Sequence, residues 1–185
     1  MHWEVFALKN KNYSIRSAIV VTVGALLTAA CVVLAYLAKS VFGTGPLRFT
    51  VENLPVFIGS FFYGPIMGGA IAVCSDLLSC VFAGMAPMPL ITVGAFAVGT
   101  VSGFLYRYLL KKFPTALRII LSVFSGHMVG SMVLKSIALM PFYGSAVFFR
   151  IPVYVGIAAL ESTVLIFFVK NKALVRQIEK TKDQK

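Results

Sequence analysis

Residues 53–84 read NLPVFIGSFFYGPIMGGAIAVCSDLLSCVFAG, an apolar stretch that carries a single carboxylate, Asp76. Small or polar residues recur in it at four-residue steps: Gly64, Gly68, Ala72, Asp76, Cys80 and Gly84. Residues four apart are neighbours on a helix, so these positions form one slowly winding stripe. In a membrane such a stripe lets helices approach closely. A charge on it points into the protein and away from lipid. The stretch predicts a polytopic membrane protein with a polar interior, suited to binding or moving something hydrophilic.

The rest of the chain agrees. Of its 185 residues, 59% are hydrophobic and 12% are charged, with a mean hydropathy of +0.90. Soluble domains are nearer about 45–50% apolar and about 25% charged. A spanning helix takes about 20 apolar residues, so one membrane domain of about six spans fits. The spans fall at about 15–38, 52–63, 66–83, 90–110, 116–140 and 151–169, with helix-breaking prolines 65, 114, 141 and 152 near their ends. The expected fold class is an all-α integral membrane protein, a compact six-helix bundle. The first apolar run is too long for the h-region of a signal peptide.

Lys and Arg set the orientation. With both termini on one side, that side holds Lys9, Lys11, Arg16, Arg107, Lys111, Lys112, Arg118, Lys170, Lys172, Arg176, Lys180, Lys182 and Lys185. The other side holds Lys39, Arg48, Lys135 and Arg150. Both termini are therefore expected in the cytoplasm, in a multi-pass protein of the bacterial plasma membrane. The net charge of +11 reads as topology; nucleic-acid binding would want a basic face on a soluble domain. Cys31, Cys74 and Cys80 all lie in apolar runs without CxxC spacing, as small buried residues do.

Four ionisable groups fall inside spans: Asp76, His127, Lys135 and Glu161. Each would cost about 2.5–3.5 kcal/mol facing lipid at mid-bilayer. From the helical rise, Asp76 and Lys135 both lie roughly 7–10 Å below the outer ends of their spans and can pair there. His127 and Glu161 both fall about 15–20 Å deep, so they can meet near the midplane. Such pairs either join helices or serve a solute. Arg48 and Arg150 oppose the positive-inside trend. An outward guanidinium suits a carboxylate or phosphate, or snorkels at the interface. Phe49, Phe142, Tyr143, Phe148, Phe149 and Tyr154 surround them, as stacking surfaces for a planar ring or as an aromatic belt.

No catalytic or metal-binding cluster is visible. The histidines are His2 and His127, with no HExxH and no phosphate loop ending in Lys-Ser/Thr. The chain is expected to be neither an enzyme nor a holder of a cofactor or metal. Energy for any active transport must come from an ion gradient or a partner.

Three segments carry a resemblance: ALLTAACVVL (Ala25 to Leu34), LRFTVENLP (Leu47 to Pro55) and FFYGPIMGGAIAVCSDLL (Phe61 to Leu78). With the size, the spans and the basic tail, they resemble the substrate-binding S components of energy-coupling-factor (ECF) vitamin transporters. The pattern LR…LP…GP…G…D looks like the folate branch. The resemblance implies an outward-facing vitamin cavity and a partner module of one transmembrane coupling protein and two cytoplasmic ATPases. It implies docking on that coupling protein through an AxxxA face, here Ala25 and Ala29, with the S component toppling in the membrane. Folate is a flat pterin with a glutamate tail. Asp76 or Glu52 suits the ring N–H groups; Arg48, Lys135 and Arg150 suit the tail; Asn53 and Tyr143 suit further hydrogen bonds. Riboflavin, pantothenate and a queuosine precursor are the alternative ligands of the same class. An autonomous ion-coupled carrier, with His127 and Glu161 as a proton relay, is the alternative class.

Overall fold

The computed structural model describes residues 2–42 and 50–183, with side chains described from residue 18 onward except at 42, 174 and 179–183. Helices α1 (His2–Phe42), α2 (Leu54–Tyr63), α3 (Pro65–Phe82) and α4 (Pro89–Phe104) come first. A π-helical turn, Leu105–Leu109, extends α4. Then follow α5 (Thr115–Gly126), a π-helical stretch His127–Leu134, α6 (Lys135–Tyr143), a 3-10 segment Gly144–Phe149, α7 (Arg150–Lys170) and α8 (Lys172–Asp183). No strand occurs among the described residues.

Proline and glycine explain most of the breaks. Pro opens α2, α3 and α4, where its missing N–H costs nothing. Gly64 joins α2 to α3 at φ 109° and ψ 168°, a backbone state that side-chain-bearing residues avoid. Gly84, at φ 61°, lies beyond α3 in a turn. The four-residue stripe is therefore helical only between these two glycines.

Four helical runs are long and apolar enough to cross a membrane: Ala18–Val41, Pro65–Phe82, Pro89–Leu109 and Thr115–Lys170. The last has 56 residues. Straight, it would reach about 84 Å, against a hydrocarbon core of about 30 Å. It doubles back at the 3-10 segment, because His127 on one arm bonds Glu161 on the other. Helix α2 has 10 residues, about 15 Å, half of a crossing. Length and composition thus single out four runs, not six. A further difference lies at 141–149, expected as a loop. Pro141 sits inside α6, which runs to Tyr143, and the rest is 3-10 helix.

Small residues decide the packing, as they must where lipid is as apolar as the core. A Cβ added at Gly99 would lie 2.7 Å from the Gly69 nitrogen, so α3 and α4 meet backbone to backbone. Gly126 and Gly130 press on the Val98 and Gly94 carbonyls of α4 in the same way. The Ser60 hydroxyl donates to the Gly99 carbonyl at 2.8 Å, tying α2 to α4. Phe57, Phe61, Val98, Ile119, Val123, Ala158 and Leu165 fill the interior. Outward faces are strongly apolar; Ile66 is 81% exposed, unremarkable against lipid and costly against water.

The two ends of the bundle differ. Arg107 lies against Gly64, and Arg118 donates to the Tyr106 carbonyl at 2.6 Å while covering that ring. Asp76 and Lys135 occupy the opposite end.

Candidate ligand-binding site

Polar groups gather around a cavity of about 40 Å³ lined by Cys31 and Ala35 of α1, Glu52 and Asn53 before α2, Ala72, Ser75, Asp76 and Ser79 of α3, Ala95 of α4, and Lys135 of α6. Each wall follows from local sequence. Ala72, Ser75, Asp76 and Ser79 are three or four apart, hence on one face of α3. Small Ala35, Ala72 and Ala95 leave room between three helices. Asn53 is buried and precedes the Leu54-Pro55 start of α2. The Lys135 stem crosses α4 at Gly94, where an added Cβ would meet its Cγ at 2.8 Å.

Asp76 and Lys135 share this cavity, but they do not form the expected ion pair. Asp76 Oδ2 accepts the Thr92 hydroxyl at 2.7 Å, and both groups are half-buried. The Thr50 hydroxyl reaches Glu52 at 3.4 Å and accepts the Glu52 backbone N–H at 3.2 Å. The cavity therefore offers carboxylate, amide and hydroxyl acceptors beside one ammonium. At about 40 Å³ it has room for water but not for a vitamin, whose pocket would need about 300 Å³ or more.

A second polar cluster lies between α5–α6 and α7. His127 Nε2 and Glu161 Oε2 are joined by a hydrogen bond of 2.6 Å, and both side chains are fully buried. His127 Nδ1 lies 3.2 Å from the Ser131 hydroxyl. Phe57 meets the imidazole edge-on at 5.4 Å, and Tyr154 lies 5.6 Å away. Arg150 donates to the Tyr154 hydroxyl at 3.1 Å. Arg150 and Tyr154 are thus buried in this cluster rather than on the cavity lining. Tyr143 is 41% exposed and also off the lining. Arg48 and Phe49 lie outside the described residues.

A second hollow, of about 430 Å³, is lined by Val73, Leu77, Pro87, Pro89, Thr92, Val93 and Phe96. Its one hydroxyl, Thr92, turns to Asp76. It offers a hydrophilic ligand nothing.

With this geometry in view, the comparison with protein families is decisive. The family described as "ECF transporter, substrate-specific component" matches residues 17–175. The chain belongs to the substrate-specific components of ECF transporters. As an S component it is a transporter subunit, not an enzyme, and it works with a small-molecule substrate and ECF module partners. Its family and its apolar helices make it a multi-pass membrane protein. Neither a curated protein nor a solved structure gives a significant match.

Sequence reading named four lining residues of this S component: Glu52, Asn53, Asp76 and Lys135. It missed Cys31, Ala35, Ala72, Ser75, Ser79 and Ala95 as lining. The serines flanking Asp76 at helical spacing were a usable signal. The α1 and α4 residues were not, because nothing local says which small residues face a cavity.

Proposed function

We propose that this S component binds a vitamin, folate, and delivers it through an ECF-type ABC importer of one coupling protein and two ATPases in the cell membrane. The observation that carries the ligand class is the cavity joining Glu52, Asn53, Asp76 and Lys135. Carboxylate oxygens at Glu52 or Asp76 accept the N–H edge of a pterin, as charge-assisted hydrogen bonds do well. Lys135 takes the anionic tail, together with Arg48, and Phe49 stacks on the ring. Arg150 and Tyr154, buried in the His127–Glu161 cluster, and Tyr143, exposed off the lining, make no ligand contact in this reading. Because the present cavity is closed to anything larger than water, binding parts its outer walls.

The chain crosses the membrane six times in this reading, with α2 as a short second pass and both termini in the cytoplasm. Ala25 and Ala29 are both exposed on α1, beside the buried stripe of Gly24, Thr28 and Cys31, and supply the docking face for the coupling protein. Ala25→Trp is expected to leave ligand binding intact and abolish uptake. Normal uptake by that variant removes the docking face from the reading.

A runner-up ligand has an observation in its favour. Two carboxylates beside one ammonium suit an N–H-rich ring more than an acid such as pantothenate, so a queuosine precursor base is second. Purifying the full chain and identifying the bound small molecule by mass spectrometry separates them. Folate is expected; bound riboflavin or a deazaguanine base without folate overturns the ligand. Uptake that persists without any ATPase partner overturns the importer role.

A further inference from the structure

The π-helical stretch His127–Leu134 interrupts an otherwise α-helical arm. Such stretches tend to mark functional sites, because each widened turn costs helix stability and shifts the face that following residues present. Here the stretch ends on a cavity residue. The Lys135 backbone N–H bonds the Gly130 carbonyl, five residues back, instead of the Ser131 carbonyl an α-helix would use. The direction in which Lys135 leaves the helix is thus set by the π register.

Two features hold that register. Gly130 lies so close on α4 that a Cβ would sit 2.9 Å from the Val98 nitrogen. His127, the first π residue, is fixed from four sides: Glu161 on Nε2, Ser131 on Nδ1, Phe57 at an edge and Tyr154 beside it. The Ser131 contact closes within the π stretch itself. The Glu161 bond reaches out to α7 and anchors the stretch against sliding. Neither side chain lines the cavity.

We propose that the fully buried His127–Glu161 pair positions Lys135 in the cavity by locking the α5–α6 arm in its π register. Glu161 and His127 are positioning residues; Lys135 is the group that meets ligand. The proposal rests on reading the cavity as the ligand site, and one arm of its test does not.

The probe for that arm is acylation of Lys135 in the purified full chain by water-soluble sulfosuccinimidyl acetate, read by peptide mass spectrometry against Lys39. The variant is the double substitution His127→Leu/Glu161→Leu. Replacing both partners of a buried pair with apolar groups is often neutral in stability, so the chain keeps its fold while losing the lock. Lys135 acylation relative to Lys39 is expected to shift by about tenfold, the effect of about 1.4 kcal/mol in position preference. Glu161→Gln, which keeps a hydrogen bond to the ring, is expected to stay near the parent value. Ser131→Ala, which removes the weaker contact, shifts Lys135 in the same direction by less, and decides the matter if the double variant does not fold. Unchanged acylation in folded His127→Leu/Glu161→Leu, or in Ser131→Ala where that variant decides, overturns the proposal.

The second arm measures folic acid affinity. Lys135→Ala weakens binding, and adding His127→Leu/Glu161→Leu to it costs nothing more, since the pair acts through Lys135. Additive losses overturn the positioning role. If the parent chain does not bind folic acid, the ligand reading fails alone, and the acylation arm still judges this one.

Discussion

The two polar clusters of this S component are built to opposite ends. Around His127 and Glu161 every neighbour is buried, and the central hydrogen bond is short and sealed from solvent. Around Asp76 and Lys135 the groups are half-buried, share a small cavity, and leave that pair unjoined. Burial explains the difference. A sealed charge must find its partner inside the protein or cost several kcal/mol, whereas a half-wet one keeps water until something better arrives. The first cluster spends its polarity on holding helices; the second keeps polarity for a ligand.

The sharpest way to break this contrast is to substitute one residue in each. Glu161→Ala leaves His127 buried without its partner and is expected to destabilise by about 3–5 kcal/mol, seen as a large fall in thermal unfolding temperature in detergent. A loss below about 1 kcal/mol would show the sealed pair to be no more structural than a surface one. Gly99→Leu comes next: its side chain would drive into the α3 backbone at Gly69, which cannot move aside. Overpacking of about 1–3 kcal/mol or more is expected, whereas Gly156→Ala, with no atom within 4 Å of the new Cβ, is neutral or stabilising by a few tenths.

At the cavity the balance reverses. Asp76→Asn is expected to change stability by less than about 1 kcal/mol, since the Thr92 hydroxyl keeps an acceptor. It should weaken ligand binding about 10- to 100-fold, the worth of one charge-assisted hydrogen bond, by isothermal titration. If it unfolds the protein without affecting ligand in the folded fraction, Asp76 belongs with the sealed cluster. The smallest effect is expected for Tyr143→Ala, exposed and off the cavity, with a change within about 0.5 kcal/mol in stability and unchanged affinity.

Much of this was legible in the sequence for reasons that can be named. Apolar runs of span length give helices in lipid, because every backbone N–H and C=O must bond within the segment. Of the prolines read as lying near span ends, Pro65 opens α3 and Pro114 directly precedes α5, because proline fits a helix start, whereas Pro141 lies inside α6. Asp76 and Glu161 sat on otherwise apolar runs, so their interior placement followed from cost alone, and His127 met Glu161 as depth predicted. Other features were not legible. The π register of 127–134 has no marker in HMVGSMVL, since an extra residue per turn is tolerated wherever neighbours hold it. Arg150 looked like a cation facing a ligand, yet it is 7% exposed and bonded to Tyr154, because proximity to a loop says nothing about which way a helix face turns.

The sequence by itself determined an all-helical membrane protein with few interior charges, since the price of a charge or an unbonded amide in hydrocarbon depends only on residue type and run length. Which charges meet, and which remain available, only the tertiary structure decided. Glycine-to-backbone contacts at Gly94, Gly99 and Gly130 set the distances between helices. The π turn sets the direction of Lys135. Both depend on residues far apart in the chain, and no local pattern encodes them.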